Sequence, residues 1–389
     1  MNWKRYLRIR HFMSCAKFAW LDISVCAEPI HIQPKTLLIV RLEAIGDYIF
    51  VRNFLESIRL SDTYKDFKIT LCGNELWRDL AETYDSPFVD EFIWVNKKKF
   101  GSDTTYRKSI LSAIHAKGFE YAIQPNYSRE FLWGDSVIRA SSAKYKIGTK
   151  GDNANDLGFF KWISDSWFTT LVRRNSEPIF EFTKNKIFFE ELLQISISLV
   201  KPTFNLVPSK PKEYIIIFPG AGELIKQWSP QNFAKFILEF RKHYSLPIYI
   251  CGAKGDSNLA EEILANCQGI KDIINHCGQT NLPQLVRFIQ ESNLLLTNDS
   301  SAFHIGAALD VPTVCLFSGR HYGRFAPYPK GSCLNLLTLY PKSFELFLRE
   351  EKNVIEKTKY HSPSLINEIE PSEVLNACNQ LLNESITAR

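Results

Sequence analysis

The sequence has 389 residues, 45% of them hydrophobic and 23% charged, with a formal net charge of +5. Such a length points to two domains, and so mild a basic balance argues against a dedicated nucleic-acid binder while suiting anionic ligands or a membrane surface. The nine cysteines are odd in number and scattered without Cys-x-x-Cys spacing, which suggests neither a disulfide framework nor a zinc site and fits a reducing compartment.

The chain opens on a segment, 1–33, that mixes Lys4, Arg5, Arg8 and Arg10 with Trp3, Tyr6, Leu7, Ile9, Phe12, Phe18 and Trp20. A basic amphipathic helix lying on anionic headgroups has this composition, and so does a helix that packs onto its own domain. No apolar run reaches the ~18 residues needed to span a bilayer, and no small-residue cleavage site follows the N-terminus. The expected location is the cytoplasm, with peripheral contact at the inner face of its membrane under the first reading of 1–33.

From residue 34 onward, short apolar runs alternate with helical ones. Strands are predicted at 36–40, 68–72, 121–124, 214–218, 247–251, 272–275, 294–297 and 313–317, the continuous apolar type that buried parallel sheets use. Val51, Phe54, Leu55 and Ile58 form one helical face. Ser229-Pro230 starts another helix, with a serine cap and a proline in the first turn ahead of Phe233, Phe236, Ile237 and Phe240. The order fades between about 150 and 212, where Pro178, Pro202, Pro208 and Pro211 mark a boundary. The expected architecture is α/β, doubly wound, with domains at 34–205 and 206–389 facing a cleft.

Three corners follow predicted strands. In "RLEAIGDYIF", Gly46 allows a tight turn, and Asp47 is either a helix cap or a general base at a cleft edge. In "FPGAGELIKQWSP", Gly220, Ala221 and Gly222 let backbone amides approach a ligand, and Lys226 is either a solvated lysine or a phosphate partner. In "LTNDSSAFHIGAALDV", Ser300 caps a helix whose first amides, at Ser301, Ala302 and Phe303, form an anion site. Asp299 beside that site would repel phosphate unless turned away or occupied by another donor. His304 is either a packing residue or a group that reaches the same mouth. Arg320 and Arg324, beyond the next strand, are solvated loop residues or a diphosphate clamp.

Several signatures are missing. There is no Asp-x-Asp pair, no G-x-S-x-G, no His-Glu-x-x-His and no Walker loop. The third glycine of a dinucleotide fingerprint would fall at Ile225, which disfavours a dehydrogenase.

Together the three corners resemble the bacterial heptosyltransferases of lipopolysaccharide core synthesis, glycosyltransferase family 9. The motifs "LLIVRLEAIGDYIF", "FPGAGELIKQWSPQNFAKF" and "LLLTNDSSAFHIGAALDVPTVCLF" follow one another with matching order and spacing over about 36–320. The resemblance implies a GT-B fold with two Rossmann-like domains, the acceptor held by the N-terminal one and the nucleotide sugar by the C-terminal one. It implies inverting, metal-independent transfer with no cofactor beyond the nucleotide-diphosphate sugar, ADP-sugar being favoured. By motif, Asp47 matches the proposed base and Lys226 the donor-phosphate lysine. Asp299, Ser300, Ser301 and His304 match the donor corner, and Asp256 an acidic position near the donor ribose. The implied acceptor is a glycolipid or oligosaccharide of the cell envelope. Ser301 departs from the family, which commonly has Gly there, and "SGRHYGRFAPYP" replaces the usual turn. An epimerase-like nucleotide-sugar enzyme, or a catalytically inert partner in envelope assembly, is the alternative reading.

Overall fold

The computed structural model describes residues 3–155, 158–172, 180–207, 209, 213–358 and 365–387. The chain divides into two compact units, Met1–Glu177 with Lys184–Ser198, and Pro178–Thr183 with Leu199–Arg389. The second unit takes up the chain ahead of residue 206 because Lys201 Nζ is tied to Ala307 O at 2.8 Å and to Asp310 at 2.7 Å. Pro178, Pro208 and Pro211, part of the expected linker signal, lie outside the described residues.

The first unit is built on β1 (Gln33–Arg41), β2 (Lys68–Asn74), β3 (Glu91–Val95), β4 (Phe119–Gln124), β5 (Tyr145–Thr149) and β6 (Thr170–Val172). They form one parallel sheet in the order β3-β2-β1-β4-β5-β6, with Leu37 opposite both Ile69 and Tyr121. Leu38, Ile39 and Val40 are buried in succession, because helices cover both faces of such a sheet and no strand face is left for water.

The second unit repeats the plan with β7 (Ile215–Phe218), β8 (Ile248–Ile250), β9 (Ile273–Asn275), β10 (Leu294–Asn298), β11 (Thr313–Leu316) and β12 (Leu336–Leu339). Its order is β12-β11-β10-β7-β8-β9, again all parallel. Ile215, Ile217, Leu294 and Leu296 pack with Trp228, Phe233 and Phe236, and with Val374 and Leu381 of the last helix. Ser229 caps the helix Pro230–Phe240 by accepting from Asn232 N, as its serine-proline start predicts.

All eight predicted strands are present with ends shifted by a few residues, and the doubly wound α/β expectation holds in both units. The fading of order after about 150 is corrected. A helix at Gly158–Asp165, β6, and a helix at Glu181–Leu193 continue the pattern there. β6 has only three residues, too few for a periodic signal to emerge.

The N-terminal helix Trp3–Cys26 buries Phe18, Asp22 and Val25 within the first unit. Arg107 donates to both carboxylate oxygens of Asp22, at 2.8 and 2.6 Å, and its guanidinium lies 4.8 Å from the Phe18 ring. Met13, Trp20 and Ile23 are exposed. The side chains of Lys4, Arg5, Arg8 and Arg10 lie outside the described residues. Among those described, no helix is long and apolar enough to cross a membrane.

Candidate active site

In open parallel sheets, ligands bind beyond the carboxyl ends of the strands, where the strand order reverses. In the first unit that place lies between β1 and β4. Arg41, the last residue of β1, is buried there. Its Nη1 donates to Asn126 Oδ1 just past β4, and Asn126 Nδ2 donates to Glu43 Oε1. Arg41 Nε lies 3.1 Å from Glu43 Oε2, and Nη2 lies 3.7 Å from Asp47 Oδ1 while donating to the Asp47 carbonyl at 3.3 Å. One guanidinium thus organises two carboxylates.

Asp47 sits in the first turn of the helix Ile45–Ile49, whose cap position is Ala44, with no side-chain cap bond. The carboxylate lies within ion-pair distance of Arg41, and 22% of the side chain stays exposed. The helix is anchored from beneath. Tyr48 stacks on Trp77 at 3.8 Å and donates to Asp85 at 2.6 Å, and Arg52 meets the same carboxylate at 2.7 Å. Trp77 Nε1 also donates to the Glu43 carbonyl at 3.0 Å. Arg41, Glu43 and Asn126 were not among the expected site residues; two of them lie inside the same motif as Asp47, and the third lies two residues beyond the end of β4.

In the second unit the order reverses between β7 and β10. The turn 219–222 leaves β7, and Asn298 closes β10 by donating to Pro219 O at 2.6 Å. Lys226 Nζ meets Asp299 Oδ2 at 2.6 Å, and both side chains are largely buried. This pairing resolves the apparent conflict of an aspartate at an anion site, since Asp299 is occupied by a donor. Ser300 caps the helix Ser301–Ala308, accepting from Ala302 N at 3.2 Å, and its carbonyl accepts from Phe303 N at 3.2 Å. Two of the three amides expected to be open at this helix start therefore have partners within the chain, and Ser301, half-buried, stands at its first position.

His304 is buried, with Nδ1 3.2 Å from the Tyr328 hydroxyl. Burial, reinforced by the nearby Lys226 ammonium, lowers its pKa to about 3, so the ring is neutral at pH 7. Asp256 Oδ2 accepts from Ala253 N at 2.8 Å, and a Cβ added to Gly220 would lie 2.6 Å from that oxygen, so only glycine lets the turn lie over this carboxylate. A Cβ on Gly222 would meet nothing within 4 Å. Arg320 Nη1 pairs with Glu223 Oε2, and Arg324 Nε donates to Glu181 at 2.9 Å. Glycine turn, Lys226, Asp299 and the capped helix are thus gathered at one edge of this sheet. Among the described residues no group of three His, Cys, Asp or Glu side chains could hold a metal ion.

The family model for glycosyltransferase family 9 (heptosyltransferase) matches residues 133–346. Lipooligosaccharide heptosyltransferase 2 of Campylobacter jejuni subsp. jejuni serotype O:2 is 30% identical over 269 residues, which cover 61% of this chain and 83% of that protein. Lipopolysaccharide heptosyltransferase 3 of Escherichia coli K12 is 24% identical over 172 residues, 44% of this chain, and the match spans about half, 47%, of that relative. Among solved structures, a glycosyl transferase of family 9 from Veillonella parvula DSM 2008 superposes with a TM-score of 0.68 at 20% identity, covering 92% of this chain and 100% of that one. The E. coli heptosyltransferase WaaC with ADP gives 0.65 at 15% identity, covering 90% and 99%. At such identities the structural likeness carries the fold alone, which is GT-B. The family match covers more than half of the chain, and the chain belongs to glycosyltransferase family 9, the heptosyltransferase family.

Proposed function

We propose that this chain is an inverting, metal-independent glycosyltransferase. It moves heptose or a related sugar from a nucleotide-diphosphate donor to a lipopolysaccharide-core or other cell-envelope glycan acceptor. The observation that carries the reading is the division of chemistry between two sheet edges. One edge offers a part-exposed carboxylate, Asp47, and the other a glycine turn, a lysine and a capped helix start.

Asp47 takes the proton of an acceptor hydroxyl as that oxygen attacks the anomeric carbon. The bond from that carbon to the diphosphate oxygen breaks, its electron pair leaves with the diphosphate, and the configuration inverts in a single displacement. Lys226, the 220–222 amides and the N-terminus of the helix Ser301–Ala308 meet the leaving charge. Asp256 is assigned to the donor ribose, and no cofactor takes part. ADP is the favoured donor nucleotide, a choice supported by the E. coli relative solved with ADP. The test supplies an ADP-sugar with and without a core oligosaccharide, in chelator. Donor consumption that needs acceptor, ignores the chelator and gives an inverted product by NMR supports the reading; acceptor-independent consumption favours an epimerase-like enzyme.

Contact with the membrane surface is a separable part of this proposal. It is supported by Met13, Trp20 and Ile23, which stay exposed while Phe18, Asp22 and Val25 of the same helix are buried. Replacing Met13 and Trp20 by Ser should abolish sedimentation with anionic liposomes, and unchanged sedimentation would remove this part alone.

A further inference from the structure

Beyond β11 the chain makes a hook, 319–328, pinned at many points. Gly319 has φ +86, and a Cβ there would lie 2.4 Å from the Phe344 ring. Tyr322 packs on Phe344 at 5.6 Å and on Tyr340 at 6.1 Å. His321 N donates to Thr358 O at 2.8 Å, Gly323 N to Ala326 O at 2.7 Å, and Arg324 N to His321 O at 3.0 Å. So held, His321 adopts φ +57, a left-handed conformation uncommon outside glycine and frequent at ligand clamps.

Two nitrogens, on consecutive residues of this hook, stand out. Arg320 Nε and His321 Nδ1 are buried, and neither has a hydrogen-bond partner among the described residues. Buried polar atoms are nearly always partnered; among the described residues several side chains depart from that rule, but only Arg320 and His321 do so at consecutive positions, which points to a group supplied from outside the chain. The surroundings define its charge. Burial first, then Arg324, Lys226 and Arg320, keep the imidazole neutral with a pKa of about 4, against an opposing influence from Asp299. The remaining end of Arg320 is held by Glu223, which directly follows the glycine turn and is half-exposed. Since β11 neighbours β10 and β10 neighbours β7, this ion pair links the segments after β11 and β7 across the one after β10.

We propose that Arg320 and His321 are ligands of the donor diphosphate, and that Glu223 is the resting partner which the diphosphate replaces at Arg320. The inference rests on the reading of this corner as the donor's diphosphate site, and it adds His321 and an internal competing carboxylate to it. Exposed ion pairs are weak, so a multiply charged oxyanion with several acceptor atoms can exchange with Glu223. Neutral His321 adds a hydrogen bond without a further carboxylate to displace.

The test is titration calorimetry of the full chain with inorganic pyrophosphate and with ADP. Glu223→Gln should tighten pyrophosphate binding about threefold, whereas Arg320→Gln and His321→Asn should each weaken it roughly tenfold. Asparagine is chosen because it tolerates the left-handed backbone. The Glu223→Gln/Arg320→Gln double variant should bind like Arg320→Gln alone, because the carboxylate acts only through that arginine. Unchanged or weaker binding by Glu223→Gln, or the same gain in the absence of Arg320, overturns the inference. Should Lys226→Ala alone lose affinity while these variants titrate like wild type, the inference fails and the donor reading stands. A wild-type protein that binds neither probe defeats both. Equal thermal midpoints establish that each variant is folded, and if His321→Asn is not, the Glu223 and Arg320 variants decide the matter.

Discussion

At the reversal of strand order in the first unit, Glu43 and Asp47 share one buried guanidinium, Arg41. At the equivalent place in the second unit, a glycine turn and a capped helix start surround a lysine already paired with Asp299. The two sheets have the same strand order, so the backbone plan does not distinguish them. What differs is residue type at the strand ends: an acid-rich edge, with two carboxylates on one guanidinium, against one where amides stand beside cations that each face a single acid. Fold places chemistry, and side chains choose it.

The sharpest way to break this comparison is Asp47→Asn. Loss of general-base assistance should lower turnover by roughly 10²–10⁴ while ADP affinity, measured by calorimetry, stays at the wild-type value. Near-normal turnover would remove Asp47 from the reaction and leave the acid-rich edge unexplained. Next in size is an effect on the frame of the first unit. Asp22→Ala leaves Arg107 buried without its carboxylate and should cost about 3–5 kcal/mol in urea unfolding; a cost within the error of the fit would mean that the N-terminal helix is dispensable.

Lys226→Ala should weaken ADP binding by about 1.5–3 kcal/mol and lower turnover as well, because the same ammonium meets the leaving charge, whereas Asp47→Asn spares ADP affinity. Because that change also leaves Asp299 buried alone, Lys226→Met with Asp299→Asn separates lost ligand contact from lost pairing. The smallest effect concerns pH. His304 has a pKa of about 3 in the fold, against about 6.5 when unfolded. Between those values the unfolded chain takes up a proton that the folded one refuses, so stability is full above pH 6.5 and falls on acidification. The slope from this residue approaches about 1.4 kcal/mol per pH unit. His304→Gln should flatten it, and identical slopes in urea titrations from pH 7 to 5 would show that the ring is not held neutral.

Strands buried on both faces were legible because they read as unbroken apolar runs, β1 and β10 most plainly. β3 and β12 were not, since most of their residues are only half-buried at the edges of their sheets. Ser229 and Ser300 were readable as caps because capping is local. Asp47 looked like a cap, yet Ala44 occupies that position, and the Asp47 carboxylate, three residues later, lies 3.7 Å from Arg41. Pairings across the fold were out of reach: Lys226 and Asp299 are 73 residues apart, and Arg41 and Asn126 are 85 apart. Only the adjacency of β7 with β10, and of β1 with β4, brings them together.

Three cations at the second edge already face an acid: Lys226 meets Asp299, Arg320 meets Glu223, and Arg324 meets Glu181. An approaching diphosphate therefore feels little attraction from a distance, because opposite charges a few ångströms apart cancel over a Debye length. Capture depends on short-range exchange of partners instead of long-range steering, so the association rate should vary little with ionic strength, however many arginines and lysines surround the site.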